Sequence, residues 1–397
     1  MSSDRPLRVV LVSNYVADEQ RSMQRFGDML QHELTQDGVA VETWRPPAWV
    51  GGRAPAYGVG KLLGYVDKFV LYPPRLRNGA RRNAGAPTVV HLCDHSNAMY
   101  VPWLRRIPHV VTCHDLIAVR TALGEFENER TRWSGRRLQQ MIRAGLRQAD
   151  RIVCDSDATC RDVQRIVHPG EYAVIPPGLS PIFARVPPHE ALERLAPLRP
   201  DACDPATWAR IASGPYLLHV GGNQWYKNRA GLIQIYTALL ERMPAAPPLV
   251  IVGKPLPREL SDAVAAGSLQ GRVIALDAVG DRELAAVYSR AALLLFPSLA
   301  EGFGWPVLEA MACGCRVVTS NRAPMTEVGG DAATYLDPEN PKSAAAVVEA
   351  ALREPDDERR TRVHEGLSLA GRFSSRAMAR AYLSVYQDAV DRRKHAA

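Results

Sequence analysis

The sequence predicts an α/β protein made of two doubly wound, Rossmann-like domains. Its 397 residues exceed the roughly 100–200 residues of a typical single domain. Short apolar, β-branched runs alternate with longer helical stretches, which is typical of parallel sheets covered by helices on both faces. The alternation stops at a proline-rich stretch near the middle of the chain and then begins again, which indicates two such domains.

Each half of the chain contains six strand candidates. In the first half they are residues 7–12, 39–43, 88–92, 109–112, 151–154 and 172–175. In the second half they are residues 216–220, 249–252, 273–276, 293–296, 316–319 and 334–336. Because doubly wound sheets bind ligands at the carboxyl ends of their strands, we expect the active site in a cleft where the two domains face each other.

The proline-rich stretch sets the predicted domain boundaries. We predict an N-terminal domain over residues 1–180, a linker region over 181–214, a C-terminal domain over 215–373 and a C-terminal helix over 374–397. The linker region has little apolar periodicity apart from a short helix near residues 190–195. Residues 374–394 contain no glycine or proline, and we expect this helix to return to the N-terminal domain.

The composition is that of an ordinary globular protein, and we expect a cytoplasmic one. No apolar run approaches the roughly 20 residues of a membrane-spanning helix, and the first residues lack a signal-peptide pattern. The seven cysteines have no disulfide-framework spacing, which indicates reduced thiols. The net charge is +7, and residues 1–180 hold 24 basic against 18 acidic residues. Because no zinc finger, RNA-binding signature or aromatic-basic platform is present, nucleic acid is not an expected partner.

The most informative motif reads PSLAEGFGWPVLEAMACG and runs from Pro297 to Gly314. It follows an apolar strand candidate and leads into a helix. Gly302 and Gly304 allow a sharp turn and a close approach of the backbone to a ligand, and Pro306 suits the first turn of the helix. The amides at the start of that helix favour a bound phosphate.

A second motif, HVGGNQWYKNR, covers residues 219–229 after the first strand candidate of the second half. Lys227 lies at the turn before a helix, where a compact ammonium can neutralise a diphosphate. Only six of the 49 basic residues are lysine, and this rarity favours a specific role for Lys227. An isolated Lys-Asn pair would fit an exposed turn, but its place before a helix of the second domain favours the phosphate role.

Together these motifs resemble the retaining glycosyltransferases of family 4, which have the GT-B fold. The family signature places two glutamates with seven residues between them in E-G-F-G-x-P-x-L-E-A-M-A-C-G, and Glu301 and Glu309 occupy those positions. The resemblance covers the whole C-terminal domain. It implies a metal-independent hexosyltransferase that uses a UDP or GDP sugar, with a mannosyl, glucosyl or similar group, and a glycan or lipid-linked acceptor. The setting would be bacterial-type polysaccharide or glycolipid synthesis.

The resemblance also implies roles for individual residues, with the N-terminal domain binding the acceptor and the C-terminal domain binding the nucleotide sugar. The catalytic candidates are Lys227 at the donor phosphates, Glu301 at the donor sugar and His114 beside the anomeric centre. Glu309 is expected to hold the ribose, and the loop after Leu276, which contains Val279, to line the base pocket. The donor-binding candidates are Gly222, Asn223, Lys227, Arg229, Val279, Glu301, Gly302, Phe303, Gly304, Pro306, Val307 and Glu309.

His114 belongs to the stretch VVTCHDL, residues 110–116, at the end of a strand candidate. It resembles the His-Asp pair of the family. We expect a neutral imidazole that bonds a sugar hydroxyl, or a backbone carbonyl that supports developing positive charge. Taken alone, His114 and Asp115 would also fit a structural role, in which the two side chains cap the backbone after the strand.

The phosphate-binding elements depart from the family pattern. Gly222 and Tyr226 stand where relatives carry an arginine near the lysine, which leaves Arg229 as the candidate replacement. The glycine pair expected after the first strand is also replaced, by the stretch at residues 13–23.

The replacement stretch contains the candidates for the acceptor or phosphate region of the N-terminal domain, namely Asn14, Arg21 and Ser22. The absence of G-x-G-x-x-G from this stretch argues against a nicotinamide enzyme.

We predict no metal site. Asp155-Ser156-Asp157 resembles the metal-binding pair of a different glycosyltransferase fold, but Ser156 or Asp157 is better explained as a helix cap. Cys313 and Cys315 lack a second pair of ligands at zinc spacing.

Residues 57–85 raise a membrane hypothesis. Apolar residues at helical spacing are followed by basic ones, a pattern that suits peripheral contact with an anionic membrane on its inner face. An amphipathic helix packed on its own sheet explains the pattern equally well. The apolar residues are Val59, Leu62, Leu63, Val66, Phe69 and Val70, and the basic ones are Arg75, Arg77, Arg81 and Arg82.

Several other functions remain open at this point. They are a non-catalytic GT-B protein that binds a nucleotide sugar, a GT-B epimerase, an inverting transferase, and a phosphorylase whose pyridoxal lysine cannot be placed in this sequence.

Overall fold

The structure, a computed structural model, describes residues 7–18, 20–51, 59–82, 87–127, 129–168, 170–201, 203–265 and 269–395. The chain divides into two compact units. Unit 1 comprises Met1–Gly178 and Ser374–Ala397, and unit 2 comprises Leu179–Phe373. Each unit contains a parallel sheet with helices, so the predicted α/β class with two doubly wound halves is confirmed.

The described part of unit 1 contains one six-stranded sheet in the order β2-β1-β3-β4-β5-β6. The strands are β1 (Arg8–Val12), β2 (Ala40–Trp44), β3 (Thr88–Leu92), β4 (His109–Cys113), β5 (Arg151–Cys154) and β6 (Tyr172–Val174). The helices are α1 (Arg21–Gln36), α2 (Val59–Val66), α3 (Tyr72–Arg82), α4 (Ile117–Leu123), α5 (Trp133–Leu146) and α6 (Asp157–Val167), with a π-helical stretch Asp67–Leu71 between α2 and α3.

The described part of unit 2 repeats this arrangement in the order β12-β11-β10-β7-β8-β9. The strands are β7 (Leu217–Val220), β8 (Leu249–Val252), β9 (Val273–Leu276), β10 (Leu293–Phe296), β11 (Arg316–Ser320) and β12 (Thr334–Leu336). The helices are α7 (Pro188–Leu195), α8 (Pro205–Ser213), α9 (Arg229–Arg242), α10 (Arg258–Ala265), α11 (Asp281–Arg290), α12 (Trp305–Ala312), α13 (Met325–Gly329), α14 (Pro341–Arg353) and α15 (Asp356–Ala370).

The strand order reverses once in each sheet, at the first strand of the unit. In unit 1 the chain places β2 on one side of β1 and β3 on the other, and in unit 2 it places β8 and β10 on opposite sides of β7. The loops after β1 and β3, and those after β7 and β10, therefore flank the point where doubly wound sheets bind their ligands.

Residues 181–214 differ from the predicted linker region. They contain α7 and α8, which bury Ala191, Leu195, Trp208 and Ile211 in the apolar core of unit 2. The prolines misled the prediction because they begin these helices rather than interrupt them. Each helix has its proline in the first turn, where the missing amide hydrogen costs nothing.

The last helix, α16 (Ser375–His395), packs on unit 1. Tyr382 and Tyr386 are fully buried. The Tyr386 hydroxyl lies 2.7 Å from Nδ1 of His91, and the Tyr382 hydroxyl lies 2.7 Å from Oγ1 of Thr112. Burial lowers the pKa of His91 to about 3, so its ring is neutral, with one nitrogen as donor and the other as acceptor. The predicted return of the C-terminal helix to the N-terminal domain is confirmed. No helix in the described ranges has the length and hydropathy needed to cross a bilayer.

Candidate functional site

Lys227 and Glu301 meet at the reversal point of the unit 2 sheet. Lys227 ends a short turn after β7, and Glu301 lies in the loop between β10 and α12. The Lys227 ammonium donates to both carboxylate oxygens of Glu301, at 2.8 and 2.9 Å. The two side chains are 16% and 8% exposed, so the ion pair is largely shielded from solvent.

Backbone contacts hold these two loops together. Asn228 adopts the left-handed conformation with φ 54°, and its side chain accepts from the Gly231 amide at 3.2 Å to cap α9. Its Nδ2 donates to the Pro297 carbonyl at 3.0 Å, and the Leu299 amide donates to the Tyr226 carbonyl at 2.7 Å. The position of Lys227 relative to Glu301 is therefore set by bonds at the two neighbouring residues, a main-chain bond at Tyr226 and a side-chain bond at Asn228.

The start of α12 completes this edge of the sheet. Gly302 follows Glu301 in the loop, and Gly304 has φ +100°, a conformation that favours glycine. Pro306 lies in the first turn of the helix, as predicted. Phe303 and Val307 are 6% and 0% exposed in the apolar core, so their side chains hold the loop and leave only their backbone for a ligand.

Glu309 is buried within α12, at 3% exposure. The Tyr288 hydroxyl on α11 donates to its Oε2 at 3.0 Å. Val279, in the loop after β9, is half-buried against the same core. The two glutamates of the signature thus have different environments: Glu301 is ion-paired in a loop, and Glu309 is held within a helix by a buried tyrosine.

Arg229 is buried at 4% exposure and bonds protein oxygens. Its Nη1 donates to Oδ1 of Asn223 at 2.5 Å and to the Lys254 carbonyl at 2.7 Å, while Nη2 donates to the Gly221 carbonyl. Burial lowers the pKa of this guanidinium. Arg229, the predicted replacement for the family arginine, therefore joins the loop after β7 to the loop after β8. Gly222 lies in the loop after β7.

His114 differs from the neutral imidazole expected. It is 4% exposed, and both ring nitrogens face acceptors: Nδ1 lies 2.7 Å from Oδ2 of Asp155 and Nε2 lies 2.8 Å from the Cys93 carbonyl. Burial lowers the pKa of His114, but the charge and hydrogen bond of Asp155 outweigh it and raise the pKa to about 9. The ring is thus an imidazolium whose two N–H groups bond the protein, because only that form donates to both acceptors.

The loop after β1 forms a second polar network at the reversal point of unit 1. Asn14 is 3% exposed, and its Nδ2 donates to Oδ2 of Asp94 at 2.5 Å and to Oε1 of Gln20. Asn97 donates to Oδ1 of Asn14 at 2.8 Å. The Asn14 amide therefore ties the loops after β1 and β3 to each other. Ser22 lies exposed in the first turn of α1, and the side chain of Arg21 lies outside the described part of the structure.

The sequence motifs missed several members of these networks. Asp94 and Asn97 follow β3 directly, and polar residues at the carboxyl end of a buried strand were the available signal. Tyr288 carries no comparable signal, since its bond to Glu309 comes from the packing of α11 beside α12.

The predicted helix cap at Asp155-Ser156-Asp157 is confirmed. Ser156 is the N-cap of α6, and its hydroxyl accepts from the Thr159 amide at 3.1 Å. Within the described ranges, no group of three or more His, Cys, Asp or Glu side chains is arranged to hold a metal ion.

Two family descriptions match the chain. Residues 206–366 match "Glycosyl transferases group 1", and residues 23–181 match "Glycosyltransferase Family 4". The chain is 27% identical over 320 residues to O-antigen chain mannosyltransferase B of Escherichia coli, covering 79% of this chain and 80% of that protein. It is 30% identical over 342 residues to D-inositol 3-phosphate glycosyltransferase of Xylanimonas cellulosilytica, covering 80% and 76%.

Solved structures share the fold. Sucrose-phosphate synthase from Thermosynechococcus elongatus aligns with a TM-score of 0.72 and 21% identity, over 97% of this chain and 99% of that one. The Anabaena protein HepE, in complex with UDP, aligns with a TM-score of 0.68 and 15% identity, over 96% and 100%. The fold is that of the GT-B glycosyltransferases. The chain belongs to glycosyltransferase family 4, among the glycosyl transferases of group 1.

Proposed function

We propose that this glycosyltransferase is a retaining enzyme that moves a hexosyl group from a nucleoside-diphosphate sugar to a glycan or lipid-linked acceptor. The observation that carries the proposal is the Lys227–Glu301 pair at the reversal point of the unit 2 sheet. A cation and a carboxylate held side by side suit a ligand with a diphosphate at one end and sugar hydroxyls at the other.

In the proposed mechanism, the donor diphosphate lies between the Lys227 ammonium and the amides at the start of α12. Glu301 accepts hydrogen bonds from the sugar, and Glu309 from the ribose. As the glycosidic bond breaks, negative charge grows on the leaving diphosphate, and Lys227 stabilises it without prior rearrangement. The acceptor attacks from the face that the diphosphate leaves, and a phosphate oxygen takes its proton.

We propose a mannosyl or glucosyl donor with UDP or GDP, and no metal requirement. The relative in Escherichia coli is named as a mannosyltransferase of O-antigen chains, and the HepE structure contains UDP. These names support an acceptor of the polysaccharide or glycolipid class.

A thermal-shift screen of nucleoside diphosphates and their mannosyl and glucosyl derivatives, with a chelator present, tests this proposal. We expect one nucleotide series to raise the melting temperature, because a ligand that binds only the folded state stabilises it. NMR analysis of the product should then show the donor anomeric configuration. An inverted product would contradict retention. Donor binding without turnover would indicate the non-catalytic alternative, and interconversion of free nucleotide sugars would indicate an epimerase.

We also propose that unit 1 contacts an anionic membrane surface. Val66 and Val70 are 38% and 61% exposed, and Trp49 is 40% exposed. The Arg75 guanidinium lies 4.0 Å from the centre of the Trp49 ring, and Arg77 on the same helix is exposed. Exposed apolar side chains beside arginines match the surface of an anionic bilayer. The side chains of Val59, Leu62, Arg81 and Arg82 lie outside the described part of the structure.

Liposome flotation tests this contact. We expect the protein to float with vesicles rich in anionic lipid, to float less in high salt, and to lose most of its binding in the double variant Val66→Glu/Val70→Glu. Leu192→Glu, which changes an apolar residue of unit 2 with 38% exposure, is the matched control and should bind as the wild type does. Equal absence of binding to anionic and neutral vesicles would contradict the proposal.

A further inference from the structure

Both carboxylate oxygens of Glu301 accept from a single lysine. The Lys227 ammonium lies 2.8 and 2.9 Å from them, and the Glu301 side chain is 8% exposed. An ammonium has three N–H donors and no acceptor, so two of the three are directed at Glu301 and one remains. A phosphate that takes more than one bond from Lys227 must therefore compete with Glu301 for the same hydrogens.

Two aromatic rings cover part of the Lys227 ammonium. Its Nζ lies 5.3 Å from the centre of the Phe296 ring and 5.8 Å from the centre of the Tyr226 ring. The rings attract the ammonium and limit the access of water to it. Because the ion pair is largely shielded, a ligand that takes Lys227 leaves Glu301 with a charge that water compensates poorly.

The loops that carry the two residues are fixed to each other. Bonds at Tyr226 and Asn228 join the loop of Lys227 to the loop of Glu301. Asn228 adds a bond from its Nδ2 to the Pro338 carbonyl at 3.2 Å. A ligand that separates Lys227 from Glu301 must therefore move the side chains, because the backbone of both loops is held in place.

Two ligands of this site would meet the ion pair differently. A nucleoside diphosphate can accept from Lys227 but brings no sugar hydroxyl to Glu301, so the carboxylate lies beside the phosphate without a donor. In a nucleotide sugar, the diphosphate accepts from Lys227 and the sugar hydroxyls donate to Glu301, so each partner exchanges one bond for another. Since an unpaired shielded charge is costly, the ion pair favours the ligand that carries the sugar.

We propose that the Lys227–Glu301 pair selects the sugar donor against the free nucleoside diphosphate: Glu301 competes with the diphosphate for Lys227, and the donor sugar relieves that competition. The inference rests on the proposed nucleotide-sugar function. The exchange takes place when the donor binds, before the glycosidic bond breaks. After transfer the sugar has left, Glu301 regains Lys227, and release of the nucleoside diphosphate is favoured.

Calorimetric titration of UDP, GDP and their glucosyl and mannosyl derivatives tests this inference. In Glu301→Gln, the dissociation constant of the nucleoside diphosphate should fall about tenfold, because an uncharged amide competes weakly for Lys227. The dissociation constant of the nucleotide sugar should stay equal or rise, because the amide has one acceptor fewer for the sugar. A gain in affinity for one ligand alone cannot come from damage to the fold.

Glu349→Gln is the matched control. It removes the charge from another shielded glutamate of unit 2, which accepts from Arg242 at 2.7 Å and has 13% of its side chain exposed. Both dissociation constants should be unchanged in this variant. In a Lys227→Met background, adding Glu301→Gln should change diphosphate binding by about twofold at most, because the competition requires Lys227.

The outcomes separate this inference from the function on which it rests. If the wild type binds none of these nucleotides, the proposed function fails and the inference fails with it. If the wild type binds and Glu301→Gln gains no affinity for the diphosphate, or gains equally for the nucleotide sugar, the inference alone is overturned. A gain that persists in the Lys227→Met background would also overturn it, since Glu301 would then repel the phosphate directly. Should Glu301→Gln fail to fold, Glu301→Ala takes its place, because it also removes the competing carboxylate.

Discussion

Glu301→Gln is expected to lower the rate of sugar transfer by about 10²–10³-fold, the size of effect seen when one preorganised electrostatic contact is lost. The amide keeps the shape of the side chain but removes the negative charge that faces Lys227, where the two carboxylate oxygens lie 2.8 and 2.9 Å from the ammonium. Glu301 has two oxygens that can accept hydrogen bonds from sugar hydroxyls, and the substitution replaces one of them with an NH2 group, which can only donate.

The fold is expected to survive this change. The Lys227 side chain is 16% exposed and can hydrate when its partner is lost, so we expect a loss of stability of about 1–2 kcal/mol. Transfer rates and melting curves of the variant should be compared with those of Glu358→Gln, an exposed glutamate in the first turn of α15. A Glu301→Gln enzyme with near-normal turnover would contradict the assignment of this residue to the donor sugar.

Asp155→Asn is expected to destabilise unit 1 by about 3–5 kcal/mol, because it leaves the buried His114 imidazolium without its anion. Nδ1 of His114 lies 2.7 Å from Oδ2 of Asp155, and both side chains are nearly inaccessible to water. Asp94 adds a further negative charge near the ring, and this too raises the pKa of His114.

The same pair makes stability depend on pH. The pKa of folded His114 is about 9, above the ordinary value of 6.5, so the stabilisation is complete below about pH 6.5 and is lost as the pH rises through 9. The free energy of unfolding should therefore fall by about 3 kcal/mol over that interval. Denaturant unfolding at several pH values should show this fall in the wild type and in His32→Gln, an exposed histidine on α1. In His114→Gln this pH-dependent fall in the free energy of unfolding should be absent. An unchanged pH dependence in that variant would rule out a charged His114.

The strands could be predicted from the sequence because they are continuous apolar runs. In β3 and β4 every residue is buried, as in β10, and such runs occur where helices cover both faces of a parallel sheet. The loop with Glu301 was predictable for a different reason. Gly304 and Pro306 have fixed conformational uses, so their spacing indicates the turn and the helix start directly.

The environments of individual side chains could not be predicted in this way. Whether His114 is charged depends on Asp155, which is 41 residues away in the sequence and reaches it only through the pairing of β4 with β5. Likewise, Arg229 was a plausible phosphate ligand by position, but the folded loops give its guanidinium three protein oxygens. The linker prediction failed because prolines at helix starts and prolines in loops look alike in a sequence.

The central claim is that the Lys227–Glu301 edge of unit 2 binds the diphosphate of a nucleotide sugar. Titration of UDP and GDP into the wild type and into Lys227→Met, with a chelator present, tests it most directly. We predict that one of the two nucleotides binds the wild type and that Lys227→Met binds it at least about tenfold more weakly, since a charge-assisted contact to phosphate is lost. Equal binding by the wild type and Lys227→Met, or no binding of either nucleotide to the wild type, would contradict the claim.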